Sequence, residues 1–457
     1  MNPVIQEKLS SFSIDDYLPI IPRQLDLGTP FAPRIGNLVK VVVGMRRSGK
    51  SYRLFQEMNA LHESGIGWDR ICYFNFEDDR LGTVTPATGD EVLDAFWSSH
   101  PQAIEEGTYL FLDELQEMQN WGAWLRRIVD TVKATIYVSG SSSKMLSKEI
   151  ATEFRGRALD FELLPFSFAE FADARGLIAG SGSPSQAFST QDRILLSHAL
   201  HEYLDCGGFP ATIDLPTPQR IALLQSYVQR VVASDVVERH DIARPRVAGA
   251  LARRALGSNG RQLSVRKVEN DLRSLGMPTS RELLGDLLEY FEEAYLLFRM
   301  REFSMSLSER TTSVPKIYAI DPGLAAAMSV AGSRDEGQRL ENAVYLELRR
   351  RNTGFRRDGI SSCRTRSHGY EIDFVVGDAL SGQTYEPYQV TDSMNSAETR
   401  ERETRALWEL MEEQQLHEGT IIVADGEPHE YRRDDRPGCV IHQIPAWRWL
   451  LRPRAQG

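Results

Sequence analysis

The apolar positions of the chain repeat in two ways. In the first third, short unbroken apolar runs alternate with helical stretches, as in strands buried on both faces and joined by crossover helices. The runs are Val39-Lys40-Val41-Val42-Val43, then Thr108-Tyr109-Leu110-Phe111-Leu112, then Ile136-Tyr137-Val138. From 190 to 245 the apolar residues recur at steps of three and four, as at Ile194-Leu195-Leu196, Leu200 and Tyr203-Leu204, which predicts helices. Residues 246–310 predict three helices: 247–256, 263–275 and about 280–293. The third carries an apolar stripe of Leu283, Leu284, Leu287, Leu288 and Phe291, with proline and a Thr or Ser cap at its start. Strand-like segments at 296–300 and 316–320 complete a pattern of three helices and a hairpin, a winged helix. From Gly337 the pattern changes again, with a helix over 338–351 and strands at 370–376 and 385–391.

The chemistry lies at the ends of the buried runs. Residues 44–51 read Gly-Met-Arg-Arg-Ser-Gly-Lys-Ser, a G-x-x-x-x-G-K-S pattern between a strand and a helix. Gly44 and Gly49 let the backbone wrap closely and aim its N–H groups at phosphate oxygens. Lys50 is expected to reach the β- and γ-phosphates of ATP, and Ser51 to ligate Mg2+. Met45, Arg46, Arg47, Ser48 and Tyr52 complete the predicted nucleotide-binding stretch. The second run ends in Asp113-Glu114. Asp113 is the candidate magnesium holder and Glu114 the base that orients and deprotonates the attacking water. The third run ends in Ser139-Gly140-Ser141, where either serine is a candidate sensor of the γ-phosphate. Arg155 and Arg157 flank Gly156, and either suits charge neutralisation in a neighbouring subunit.

These residues also carry a resemblance. Gly44 to Ser51, Phe74-Asn75-Phe76-Glu77-Asp78-Asp79-Arg80, Leu112-Asp113-Glu114-Leu115-Gln116, Ser139-Gly140-Ser141-Ser142, Leu164-Pro165-Phe166-Ser167-Phe168 and the Gly207-Gly208-Phe209-Pro210 turn resemble a prokaryotic AAA-type ATPase family. Its members join that module to a C-terminal domain of the restriction-nuclease-like fold. The resemblance implies an α/β chain with a P-loop AAA-type core, a helical lid, the winged-helix domain and a C-terminal α/β restriction-endonuclease-like domain. It also implies a ring or partial-ring homo-oligomer, with a hexamer favoured, and nucleotide at the subunit interfaces. Expected boundaries are an N-terminal segment at 1–35, the core at 36–178, the lid at 186–245, the winged helix at 246–330 and the nuclease-like domain at 335–457. Residues 180–185, Gly-Ser-Gly-Ser-Pro-Ser, read as a flexible connector.

A restriction-nuclease-like fold builds its metal site from a helix Glu, a strand Asp and a following Glu-x-Lys. The lysine positions water and supports the developing charge. Here Glu341 and Asp373 are present, but Gln389-Val390-Thr391 stands where Glu-x-Lys belongs. Gln389 can offer a metal only a neutral oxygen, and threonine cannot replace an ammonium. Glu371 shares a strand face with Asp373. A second metal site at Glu341, Asp373 and Gln389 is therefore expected to be weak, rescued by another basic residue, or lost.

The chain has 457 residues, 41% of them hydrophobic and 26% charged, and a net charge of −11, which speaks against a uniformly basic DNA-coating protein. Between 339 and 366, however, eight arginines stand against three acids, an arrangement that suits phosphate-backbone contact. No apolar run is long enough for a transmembrane helix, and the first residues lack a signal-peptide pattern. Four scattered cysteines without C-x-x-C argue against zinc and fit a reduced, cytoplasmic setting. The expectation is an ATP-hydrolysing motor or switch acting on duplex or branched DNA, with a four-way junction as the substrate the resemblance implies. Alternatives are an ATP-regulated metal-dependent nuclease, and a scaffold ATPase with protein partners only.

Overall fold

The computed structural model describes residues 2–141, 156–178, 188–303, 313–329, 335–378 and 382–452, without the side chain of Phe355. Arg155 and the 180–185 connector lie outside the described residues. The chain divides into two units, Met1–Leu164 with Glu293–Tyr295, and Pro165–Glu292 with Leu296–Gly457.

The first unit is built on β1 (Val39–Val43), β2 (Ile71–Asn75), β3 (Thr108–Asp113), β4 (Ala134–Gly140) and β5 (Ala158–Glu162). They form one parallel sheet in the order β2-β3-β4-β1-β5. Strands β1, β3 and β4 are buried throughout, which explains their unbroken apolar sequence. Helix Lys50–Glu63 lays Leu54, Phe55, Met58 and Leu61 into a cluster with Val42, Phe111 and Tyr137. This three- and four-residue spacing fixes its inner face.

In the second unit, helices Thr190–Cys206 and Thr217–Arg230 follow the predicted helical pattern. Next come helix Pro245–Leu256, β6 (Arg261–Gln262), helices Val265–Ser274 and Arg281–Glu293, then β7 (Leu297–Met300) and β8 (Lys316–Ala319). The sheet order is β6-β8-β7, with antiparallel pairs. The two-residue β6 is too short to show in the sequence pattern.

Beyond it, helix Glu336–Arg351 precedes β9 (Ile360–Arg364), β10 (Glu371–Asp378) and β11 (Gln383–Ser393). Helix Ala397–Glu413 then leads to β12 (Glu418–Asp425), β13 (His429–Arg433) and β14 (Arg436–Pro445). These six strands run in the order β13-β14-β12-β11-β10-β9. Strands β9, β10 and β11 are antiparallel neighbours, whereas β11, β12 and β14 pair in parallel. Among the described residues no helix is long and apolar enough to cross a membrane.

The arginines of 339–366 that lie on helix Glu336–Arg351 correct the sequence expectation. Arg339 is buried and pairs with Asp205. Arg350 donates to the Pro165 carbonyl, and Arg351 pairs with Glu347 and lies over the Trp449 ring. Arg349 lies 3.9 Å from the centre of the Phe298 ring, Arg356 pairs with Glu386, and Arg364 with Glu371 and Glu302. Helix Glu336–Arg351 is buried along most of its length, so its arginines meet protein groups rather than a phosphate backbone.

Candidate functional site

Sheet register assembles the site in the first unit. Asn75 at the end of β2 lies beside Asp113 at the end of β3, and Ser139 near the end of β4 lies beside Val42 of β1. Polar side chains far apart in sequence thus emerge at one sheet edge, the carboxyl ends of the strands, where ligands of open α/β sheets bind.

Asp113 is completely buried and accepts from four donors. These are Ser51 Oγ at 2.6 Å, the Tyr73 hydroxyl at 2.8 Å, Asn75 Nδ2 at 3.2 Å, and Ser139 Oγ. Burial and the neighbouring Glu114 push the Asp113 carboxyl above its ordinary range, opposed by the hydrogen bonds from Ser139, Ser51 and Tyr73. Glu114 sits in the left-handed region, φ 51°, and its N–H donates to Ser139 Oγ at 3.2 Å. Its carboxylate meets the Lys50 ammonium at 3.3 Å and accepts from Gln116. Burial alone would raise Glu114, but Lys50, Gln116 and Arg46 outweigh it and hold the carboxyl at about 2. Gln116 also donates to Ser141 Oγ at 3.3 Å.

The loop before helix Lys50–Glu63 is shaped for close approach. Gly49 is left-handed, φ 97°. A Cβ on Gly44 would stand 2.1 Å from the Leu163 carbonyl oxygen. Lys50 Nζ donates to the Met45 carbonyl at 3.4 Å, and Arg47 has a positive φ of 70°. Arg46 pairs with Glu77 at 2.6 Å and Glu117 at 3.4 Å. Tyr52 is half exposed and packs edge-on to Tyr17 and Phe55.

A triphosphate with magnesium fits these residues. Ser48 Oγ is buried without a hydrogen-bond partner, the glycine cradle admits nothing larger, and a hydroxyl and a carboxylate converge at Ser51 and Asp113. Lys50, Ser51, Asp113, Glu114, Ser139 and Ser141 are brought together. Arg157 is not among them: it is half exposed and pairs with Asp130.

The sequence reading gave no role to Tyr73, Gln116 or Arg23. Arg23 is buried, and its guanidinium donates at 2.7 Å to both the Ser48 and Leu164 carbonyls. An arginine in an irregular segment carries no sequence signal for such a contact. Gln116 lies next to the Asp-Glu pair, and Tyr73 lies two residues before the end of β2, so position alone marked both.

In the second unit, the predicted metal site takes another form. Glu341, Glu371 and Asp373 converge on the ammonium of Lys316 from β8, at 3.3, 3.0 and 4.0 Å. Gln389 does not offer its oxygen outward. That oxygen accepts from the Asp373 N–H at 3.0 Å, and its amide donates to Glu403 and to the Glu371 carbonyl. Among the described residues no three His, Cys, Asp or Glu side chains are arranged to hold a metal ion. The expected second site therefore does not fit a metal: a lysine from outside the motif stands among its acids.

A family model described as an AAA domain matches residues 36–172, and a domain of unknown function (DUF8612) matches 197–335. An uncharacterized protein of Methanocaldococcus jannaschii is 34% identical over 421 residues, 91% of this chain and 89% of the relative. An uncharacterized protein of Haemophilus influenzae is 26% identical over 340 residues, 74% of this chain and 80% of the relative. Among solved structures, a Walker-type ATPase of Pyrococcus abyssi overlaps 64% of this chain and 90% of its own at 14% identity, with a TM-score of 0.38, too low to bear weight. The chain belongs to the family of the Methanocaldococcus jannaschii protein and carries a P-loop ATPase domain of the AAA type.

Proposed function

We propose that the chain is an ATP-hydrolysing switch or motor that works on DNA as a ring-type homo-oligomer, a hexamer. The observation that carries the hydrolytic half is the convergence of Ser51 and Lys50 on Asp113 and Glu114. When bound, magnesium would supply charge neutralisation to the phosphate oxygens. Ser51 and Asp113 are the residues to hold it, and Lys50 exchanges Glu114 for phosphate oxygens. Glu114, released by Lys50 and still accepting from Gln116, takes the proton of the attacking water. Ser139 ties Asp113 to the Glu114 backbone, and Gln116 ties the Glu114 carboxylate to Ser141. Among the described residues Arg157 is held at the surface by an exposed pair with Asp130, worth about 0–1 kcal/mol, which leaves it able to re-pair with a neighbouring subunit's nucleotide. Arg155 is the other candidate for that role.

The DNA half rests on charge. Helix–strand–helix–helix–strand–strand is the order of a winged helix, and helix–three strands–helix–strand that of a restriction-nuclease-like domain. Between 244 and 281, nine basic residues stand against two acids in an acidic protein, and all nine are exposed. The side chains of Arg246, Arg253, Arg266 and Lys267 make no ion pair or hydrogen bond among the described residues. Exposed basic residues of this density suit a phosphate backbone. Helix Arg281–Glu293 favours a protein surface instead, since Arg281 is held by Glu269 while Glu282, Asp286 and Glu289 are exposed.

The test is ATP turnover with duplex, single-stranded and four-way-junction DNA, together with binding across a salt series. Arg266→Glu with Lys267→Glu is expected to weaken binding to all DNA shapes and to flatten the log–log salt slope by about two. Absence of salt-sensitive binding at low ionic strength, with or without ATP, rules out the DNA half.

A further inference from the structure

We propose that Lys316 is the resident cation of the acidic cluster formed by Glu341, Glu371 and Asp373, and that this domain therefore takes no divalent metal and cleaves no nucleic acid. The inference leaves the ATPase reading untouched. It rests on geometry in the second unit alone.

The missing ammonium of the sequence motif is supplied from elsewhere. Lys316 opens β8, and its backbone is fixed by pairing with Gln262 of β6 and Met300 of β7. Its side chain is 10% exposed, and its ammonium reaches one acid on helix Glu336–Arg351 and two on β10. It thus links three elements that are remote in sequence. Burial alone would lower the Lys316 ammonium, but Glu341, Asp373 and Glu371 outweigh it and hold it above its ordinary value.

At least one oxygen of each residue that would hold a metal already has a donor. Glu341 Oε1 accepts the Tyr318 hydroxyl at 2.6 Å besides Lys316. Asp373 Oδ2 accepts the Val390 N–H at 2.8 Å, and Glu371 Oε2 meets Arg364 at 3.0 Å. The Gln389 oxygen takes the Asp373 N–H. Magnesium requires near-octahedral oxygens at about 2.1 Å. Contacts of 3.0 to 4.0 Å around a nitrogen are those of an ammonium, and this one stands between the acids, in the place a metal would take, rather than to one side of it.

The probe is Mn2+, titrated into the full chain without nucleotide and read by calorimetry and by electron paramagnetic resonance. The expected result is no Mn2+ equivalent that depends on Asp373, so wild type and Asp373→Asn give the same isotherm. Lys316→Met is expected to gain one equivalent, bound at least tenfold more tightly than any wild-type site outside the P-loop, and to lose it again with Asp373→Asn added. Should Lys316→Met fold poorly, a rise in its melting temperature with Mn2+ reports the same gain, and Lys316→Arg is expected to fold and stay metal-free. DNA cleavage with Mg2+ or Mn2+ is expected to be absent in wild type. A wild-type Mn2+ equivalent lost in Asp373→Asn overturns the proposal, as does wild-type cleavage lost in Lys316→Met. ATP turnover in the same samples reports separately on the P-loop.

Discussion

Replacing Glu114 by glutamine is expected to strengthen ATP binding while stopping hydrolysis, and the contact with Lys50 gives the size of the effect. The two groups stand 3.3 Å apart with side chains 9% and 3% exposed. At an effective dielectric of about 20, a unit pair at that distance gains roughly 5 kcal/mol before desolvation is counted. Glutamine keeps an acceptor for the ammonium, so about 2 kcal/mol is the net difference, in the range of hydrogen bonds to charged groups. A triphosphate must take Lys50 away from Glu114 in the parent, but only from an amide in the variant. The affinity for a non-hydrolysable ATP analogue is therefore expected to rise about 30-fold, since 1.4 kcal/mol is a factor of ten. Loss of the general base is expected to lower turnover by about 10² or more. Equilibrium binding to both proteins, followed by single-turnover hydrolysis of ATP, gives both numbers. Unchanged or weaker affinity refutes the competition between Glu114 and phosphate, and equal turnover refutes the role of Glu114 as base.

Two further changes test how the P-loop is held. Arg23→Ala leaves the buried Ser48 and Leu164 carbonyls without their 2.7 Å donor, at about 1–3 kcal/mol each, so a stability loss of about 3 kcal/mol is expected by denaturant unfolding. A loss below 1 kcal/mol means those carbonyls find other donors. Gly44→Ala puts a Cβ 2.1 Å from the Leu163 carbonyl oxygen, and folding or nucleotide binding is expected to fail. Soluble Gly44→Ala protein with parental affinity in a binding assay contradicts the close cradle.

The sequence by itself marked the candidate nucleotide site. Gly44 to Ser51, Asp113-Glu114 and Ser139 are short contiguous signals at the ends of buried strands. A parallel sheet brings such ends to one edge whatever the loops between them do. The helical stretches were legible for a similar reason, because their apolar spacing reports which face is inward.

Tertiary structure decided the partners. Eight arginines in 28 residues looked like a phosphate-binding surface, yet helix Glu336–Arg351 is buried and turns its arginines to Asp205, Glu347 and backbone carbonyls. The exposed basic side chains without a partner among the described residues, Arg246, Arg253, Arg266 and Lys267, lie earlier, on helices Pro245–Leu256 and Val265–Ser274, where the sequence pattern advertised only helices. Lys316 belongs to a strand of the small sheet, 57 positions before the acid Asp373 that it approaches, and no spacing rule joins the two. A charge count along the chain carries no information on which groups share a low-dielectric interior. Pairing there follows burial and geometry in three dimensions.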